Sequence, residues 1–162
     1  MTASLPVSLS TSFPPRRRGK LGCDIHLHIE VKVNGKWEHW GCPNVMRSYM
    51  LFEKLAGVRG DVANAIAPPR GLPEDVTSLT RMDREVWNDD GHTSSYITSD
   101  EIEHQLYPWY DSLREEPKEQ SRFSLDLFPE TNFGYFFGNG WDMKNANDHG
   151  IEDFRFVFWF DN

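Results

Sequence analysis

The chain of 162 residues and 18.8 kDa is long enough for one domain with a single core, and its eleven Phe and six Trp indicate that this core is rich in aromatic side chains. Residues 21–162 hold 13 basic and 25 acidic residues, a net charge of −12 that repels a phosphate backbone and argues against general nucleic-acid binding. No apolar run approaches the roughly 18 residues of a transmembrane helix, so we expect a soluble, cytoplasmic protein without membrane contact.

The first twenty residues differ in composition from the rest of the chain. They are rich in Ser, Pro and Arg, contain no acidic residue and show no period that would bury one face. We expect residues 1–20 to form a disordered tail and residues 21–162 to form a single α+β domain. Because a leucine-type codon can initiate translation in bacteria and their viruses, a second hypothesis is that the natural product begins at Leu21.

The most regular pattern in the sequence is a strict alternation of apolar and polar residues that begins after Cys23. A period of two residues predicts a half-buried strand with one apolar and one polar face. Asn34-Gly35 then signals a tight hairpin turn, and Lys36–Trp40 is the return strand. The apolar set is Ile25, Leu27, Ile29, Val31 and Val33, and the polar set is Asp24, His26, His28, Glu30 and Lys32.

The middle of the chain carries helical patterns. A first helix is predicted to start after an N-cap at Asn44, to run to about Leu55 and to end at Gly57. Residues 65–73 contain three prolines and a glycine and are predicted to form a loop. A second helix is predicted over Glu74–Trp87.

The last third of the sequence predicts one more helix and a closing strand. Thr98 and Glu101 have the spacing of a capping box, which starts a helix that Pro108 kinks or ends. Phe154–Phe160 is apolar on both faces, which is typical of a central strand, and we expect Asp161 to lie near one end of the polar face of the first strand. The predicted fold is α+β, a mainly antiparallel sheet that contains the first hairpin and the last strand, with helices packed on one face.

The polar face of the first strand carries the densest chemistry in the sequence. Side chains two residues apart on a strand lie roughly 6.5–7 Å apart at their Cα atoms, so Asp24 and His26 can reach one metal ion. His92, in a turn-rich run, and Asp161 are the candidate partners from distant parts of the chain. Carboxylate and neutral imidazole suit divalent zinc, manganese or iron, and an incomplete ligand set leaves a position for a water.

The first functional hypothesis is a small metal-dependent hydrolase of a phosphoester or nucleotide. Glu30 or Asp90 would then be the general base for the metal-bound water, and Arg70 would steady an anionic substrate. The second hypothesis is a non-catalytic binding module in which Arg47, Arg59 and Arg70 sequester a small nucleotide or a host protein. The third is a structural face whose polar residues satisfy one another without any ligand.

The string D-x-H-x-H, formed by Asp24, His26 and His28, resembles the first metal motif of the amidohydrolase and polymerase-and-histidinol-phosphatase families. In those families the motif ends the first strand of a barrel and is completed by further histidines and acids on later strands. Those barrels are longer than this chain, so the resemblance implies metal chemistry for the motif and not a fold.

A wider resemblance covers nearly the whole of residues 21–162. Its segments are similar to a family of small uncharacterised proteins of bacteriophages and bacteria that open with Met-Gly-Cys-Asp-Ile-His. The resemblance implies a bacterial host cell as the setting, supports Leu21 as the first natural residue, and implies that His28 is dispensable. The segments are Gly22–Glu30, Arg47–Gly60, Pro69–Val76, Asp90–Thr98 and Phe156–Asn162.

Overall fold

The computed structural model describes residues 22–115 and 142–162. The predicted tail, residues 1–20, and Leu21 lie outside the described residues. Within the described ranges, no helix is both long enough and apolar enough to cross a membrane.

In the described part of the chain, four antiparallel strands form one sheet and confirm the α+β class. The last strand, β4, lies between β1 and β3, because both of its faces are apolar enough to be covered. The first two strands form the predicted hairpin, and its turn residues Asn34 and Gly35 have φ angles of 50° and 74°. The order of the strands across the sheet is β2-β1-β4-β3. Their ranges are β1 (Asp24–Val33), β2 (Lys36–Gly41), β3 (His92–Thr98) and β4 (Asp153–Asp161).

Several helices surround the sheet, and two of them start later than predicted. The first begins at Tyr49 because Ser48, rather than Asn44, is its N-cap and accepts a hydrogen bond from the backbone of Leu51. The second begins at Ser78 rather than at Glu74. The helices are α1 (Tyr49–Ala56), α2 (Ser78–Val86), α3 (Ser99–Glu101), a π-helical turn (Ile102–Leu106), α4 (Tyr107–Glu115) and α5 (Met143–Asp148), with 3₁₀ turns at Val62–Asn64 and Asn88–Asp90.

Two local signals for the ends of helices are confirmed. Gly57 ends α1 in the left-handed conformation, with φ 71°. Thr98 and Glu101 form the capping box, in which each side chain accepts from the backbone of the other residue. The chain then continues through the π-helical turn into α4, so Pro108 lies in the first turn of α4 and does not end the helical run.

The two faces of the sheet are covered by different elements. One face packs against α1, the π-helical turn, α4 and α5 and forms the apolar core. On the opposite face α2 covers one end of the polar side of β1, where its Thr80 side chain is fully buried and donates to Glu30. Helices therefore cover both faces of the sheet. On the polar face, the buried carboxylate of Glu30 needs hydrogen-bond donors, and α2 supplies one of them. The largest fully buried side chains are Phe52, Phe154, Phe156, Phe158, Trp159 and Phe160.

Replacing Gly57 with Ala should lower the free energy of unfolding by about 2–3 kcal/mol, measured by urea denaturation. A Cβ at this position would meet the Cα of Val62 at 2.5 Å, in addition to the strain of a positive φ. Gly35→Ala is the matched control, since its φ is 74° and a Cβ there meets nothing within 4 Å. We expect only about 1 kcal/mol of loss for the control, and equal losses in the two variants would contradict the steric argument.

Candidate metal centre

Cross-strand pairing places a row of polar and aromatic side chains on the face of the sheet that carries α2. Residues paired across antiparallel strands share a face. On this face the pairs between β1 and β4 are Asp24 with Asp161, His26 with Trp159, His28 with Val157 and Glu30 with Arg155.

Two imidazoles and a thiol meet on this face. The Nδ1 atom of His28 lies 3.0 Å from Nε2 of His39, and Sγ of Cys42 lies 3.4 Å from each of these nitrogens. Among residues 22–115 and 142–162, these three form the one group of His, Cys, Asp or Glu side chains whose donor atoms could together hold a metal ion. We call it the His28–His39–Cys42 cluster.

The spacing of the three donor atoms matches that of a small tetrahedral metal site. With Zn–N distances of about 2.0–2.1 Å and a Zn–S distance of about 2.3 Å, the tetrahedral edges are about 3.3 Å for N···N and about 3.6 Å for N···S. The observed separations of 3.0 Å and 3.4 Å are shorter than these edges by only a few tenths of an ångström. A metal ion can therefore be accommodated by a small outward movement of the three side chains.

A β-bulge in the hairpin brings the cluster together. Regular pairing from Val33 with Lys36 continues to Glu30 with His39, which puts His39 on the polar face. The register then shifts by one residue, so that Ile29 pairs with Gly41 instead of Trp40. The next residue after Gly41 is Cys42, and the shifted register brings it alongside His28.

Burial sets the protonation of the cluster. It lowers the pKa of His28, an effect that Asp83 opposes and His39 increases, and it also lowers the pKa of His39. Burial raises the pKa of the Cys42 thiol, and the carboxylate of Asp83 raises it further. At neutral pH both imidazoles are therefore neutral and ready to bind a metal, whereas the thiol must lose its proton.

The cluster borders a surface groove of about 360 Å³. His28 itself is almost fully buried, stacked at 4.9 Å on the ring of Trp159, and its Nε2 lies 3.0 Å from Oδ2 of Asp83. The groove thus runs from the cluster along β1, so a ligand in the groove would pass from His28 towards Asp24. Its lining residues are Asp24, Ile25, His26, Leu27, His28, Cys42, Pro43, Asn44, Val45, Met46, Arg47 and Asp83.

Three of the four predicted metal ligands lie together: Asp24 and His26 line the far end of this groove, and Asp161 contacts both of them. The carboxylate of Asp24 accepts two hydrogen bonds from Arg47, at 2.8 Å and 2.7 Å. His26 Nε2 lies 3.3 Å from Oδ2 of Asp161, and its ring is 4.0 Å from that of Trp87. The expected approach of Asp161 to the polar face is thus confirmed, but the Asp24 carboxylate is engaged by a guanidinium.

The structure does not bring His92 to Asp24 and His26. Continuing the regular pairing of Ser95 with Phe158 would set His92 opposite Asp161, on the polar face. The register shifts between His92 and Ser95, where Thr93 has a φ of 53°, and His92 pairs with Phe160 on the core face instead. A one-residue shift reverses the face of a strand residue, which separates the predicted ligand set.

Glu30 and Asp90, the predicted bases, occupy different environments. Glu30 is fully buried, and burial raises its pKa, but hydrogen bonds from Thr77, Thr80 and Arg155 outweigh that effect and lower it below the usual range. Its oxygens are taken up by these donors, so it has no capacity left for a water. Asp90 is exposed in the 3₁₀ turn that follows α2.

The three predicted anion-binding arginines each have a different partner. Arg47 binds Asp24, whereas Arg59 donates to the side chain of Asn162 at 2.8 Å. Arg70 donates to Glu101 at 2.6 Å and lies over the ring of Tyr96. Only Arg47 lines the groove, so the three do not form one anion clamp there.

Sequence reasoning missed His39 and Cys42, and it dismissed His28. A usable signal was present, since His39 and Cys42 have the H-x-x-C spacing on the return strand opposite His28. Pairing these two residues with His28 requires the position of the β-bulge, which the alternation of apolar and polar residues does not reveal. Comparison of the chain with protein-family models, curated proteins and solved structures finds no match, so the functional conclusion rests on the geometry of the His28–His39–Cys42 cluster and its groove.

Proposed function

We propose that the protein binds one zinc ion through the His28–His39–Cys42 cluster and uses it to hydrolyse a phosphoester or nucleotide bound in the groove. The observation that carries this proposal is the spacing of three donor atoms at 3.0–3.4 Å beside an open groove. A thiolate with two imidazoles favours zinc over manganese, which prefers oxygen ligands.

The ligand set supports catalysis more than a closed structural site. Structural zinc sites have four protein ligands, whereas catalytic sites have three and keep the fourth position for a water, whose pKa zinc lowers to about 7. Among the described residues the cluster supplies three donors. His28 and Cys42 both line the groove, so a water in the fourth position would face a bound substrate.

Other groups of the groove fit a role beside the metal. His26, which contacts Asp161, lies on the same face of β1 as His28 and two residues away, roughly 6.5–7 Å along the strand. Arg47 lies at the far end of the groove, and its half-exposed guanidinium, which also binds Asp24, is the one Lys or Arg cation among the lining residues. Replacing Gly22 would disturb this end, since a Cβ there would overlap the guanidinium of Arg47.

The first test is the metal content of protein purified without added metal and then loaded with Zn²⁺ and desalted. We expect inductively coupled plasma mass spectrometry to find one zinc per chain in the wild type. The His39→Ala and Cys42→Ser variants should retain less than one tenth of that amount. His104→Ala is the matched control, because His104 is exposed and its ring contacts Asp100 on its own helical run, away from the cluster. Wild-type protein that retains no zinc would contradict the proposal.

The second test is hydrolysis by the zinc-loaded protein of p-nitrophenyl phosphate, bis-p-nitrophenyl phosphate and a panel of nucleotides. We expect the wild type to hydrolyse at least one of these substrates. A chelator should abolish this activity, added zinc should restore it, and the His39→Ala variant should lack it. Stoichiometric zinc without turnover of any member would overturn the hydrolase and favour the alternative, a module that binds a small nucleotide or a host protein. Thermal shifts with the same nucleotides would then identify the ligand.

A further inference from the structure

We infer that Asp83 is a positioning residue for the metal: its carboxylate fixes the tautomer and ring orientation of His28 so that Nδ1 faces the ion. The inference rests on the proposed zinc site and adds to it a residue from α2, an element that contributes no ligand to the cluster.

The hydrogen bond between Asp83 and His28 determines which imidazole nitrogen carries the proton. Oδ2 of Asp83 lies 3.0 Å from Nε2 of His28. An ionised carboxylate accepts hydrogen bonds and cannot donate them, so the proton of the neutral imidazole resides on Nε2. The lone pair on Nδ1 is then directed at His39 and Cys42, where a metal would lie.

Asp83 is placed to support a metal ligand and not to be one. The two nitrogens of an imidazole point away from the ring in widely different directions, so one group cannot contact both. Asp83 contacts Nε2, whereas the donors of His39 and Cys42 gather around Nδ1. A carboxylate behind a metal-binding imidazole raises the basicity of the ligand and holds its ring, and losing such a partner weakens metal binding about 10–100-fold.

Contacts other than that of Asp83 also hold α2 to the sheet. The Asp83 side chain is 47% exposed. Other residues hold α2 in place: Thr80 donates to Glu30 at 2.7 Å, and Arg84 donates to Ser94 at 2.8 Å. Removing the carboxylate therefore leaves the helix attached, and a loss of metal affinity can be separated from a loss of structure.

The test is the zinc dissociation constant of the full chain, measured by competition with a chromophoric chelator. We expect Asp83→Ala to bind zinc about 10–100-fold more weakly than the wild type. Asp83→Asn should bind within a few-fold of the wild type, because the amide oxygen can accept the same Nε2 proton. Glu85→Ala, which removes an exposed acid from the same helix, should leave the constant unchanged.

A spectroscopic readout distinguishes positioning from a structural role. With Co²⁺ in place of zinc, Asp83→Ala should retain the thiolate-to-cobalt charge-transfer band of Cys42 but change the ligand-field bands, which report the geometry around the ion. The melting temperature of metal-free Asp83→Asn and Glu85→Ala should equal that of the wild type, and metal-free Asp83→Ala should melt no more than a few degrees lower, as expected for the loss of one hydrogen bond.

Two results would overturn the inference while leaving the zinc site intact. One is equal zinc affinity in Asp83→Ala and the wild type. The other is an equal loss in Asp83→Ala, Asp83→Asn and Glu85→Ala, which would show a general effect of charge. Absence of zinc binding by the wild type is a different result, and it removes the proposed function itself.

Discussion

Replacement of Arg155 with Met should lower the free energy of unfolding by about 3–5 kcal/mol. The guanidinium of Arg155 binds the fully buried carboxylate of Glu30 through Nε at 2.9 Å and Nη2 at 2.8 Å. Removing one partner leaves an uncompensated charge in the interior, because the hydroxyls of Thr77 and Thr80 already donate to the other carboxylate oxygen, Oε1, and supply no positive charge. Arg155 also packs on the ring of Trp37 at 3.9 Å, a contact that Met retains only as an apolar one.

Urea denaturation of the variant and of two companions measures this effect. Glu30→Gln combined with Arg155→Met should recover much of the loss, because no buried charge is then left unpaired. Lys144→Met is the control for an exposed ion pair, here with Asp148, and should cost less than about 1 kcal/mol. A loss in Arg155→Met as small as that of the control would mean that Glu30 is not held as an ion.

The same pair gives stability a defined dependence on pH. The folded-state pKa of Glu30 lies below its unfolded value of about 4.3, so folding stabilises the ionised carboxylate relative to the protonated one. The stabilisation is present above the unfolded pKa and is lost as the pH falls through the folded one. Unfolding curves at a series of pH values below 5 should show a shallower acid dependence in Glu30→Gln than in the wild type.

The zinc affinity of the His28–His39–Cys42 cluster should rise about tenfold for each pH unit between pH 7 and 9. The pKa values of the two imidazoles lie below the ordinary value of about 6.5, so both are already neutral in this range. The thiol pKa lies above its ordinary value of about 8.5, so binding must release one proton from Cys42. The free site carries more protons than the bound one, and affinity therefore increases with pH.

Competition titrations with a chelator of known pH dependence give the slope, and calorimetry in buffers of different ionisation enthalpy counts the released proton. Cys42→Ser removes the titrating thiol, so its zinc binding should be much weaker and nearly independent of pH across this range. A wild-type affinity that does not change between pH 7 and 9 would mean that Cys42 is not a ligand.

The sequence by itself determined the first hairpin, two of the helix caps and the central place of the last strand. These features depend on signals within a few residues of one another: the alternation after Cys23, the Asn34-Gly35 turn, the glycine at 57 and the capping box at Thr98. The apolar character of both faces of Phe154–Phe160 was enough to predict a covered, central strand. Local conformational preference and side-chain period set these features, and both can be read along the chain.

Only the tertiary structure decided which polar side chains meet. One β-bulge brings Cys42 alongside His28, a contact that the sequence did not predict. A second bulge turns His92, a predicted metal ligand, to the core face. Glu30 was a candidate base in the sequence, and its hydrogen-bond partners are 47, 50 and 125 residues away along the chain.

The physical reason is common to these cases. The face on which a strand residue lies depends on register, and a shift of one residue reverses it without changing the hydrophobic pattern that predicts the strand. Contacts between residues distant in sequence, such as Asp83 with His28, follow from how α2 packs across the sheet. The sequence thus predicted a polar face on the first strand, and the packing of the sheet and α2 determined which of its residues can form a metal site.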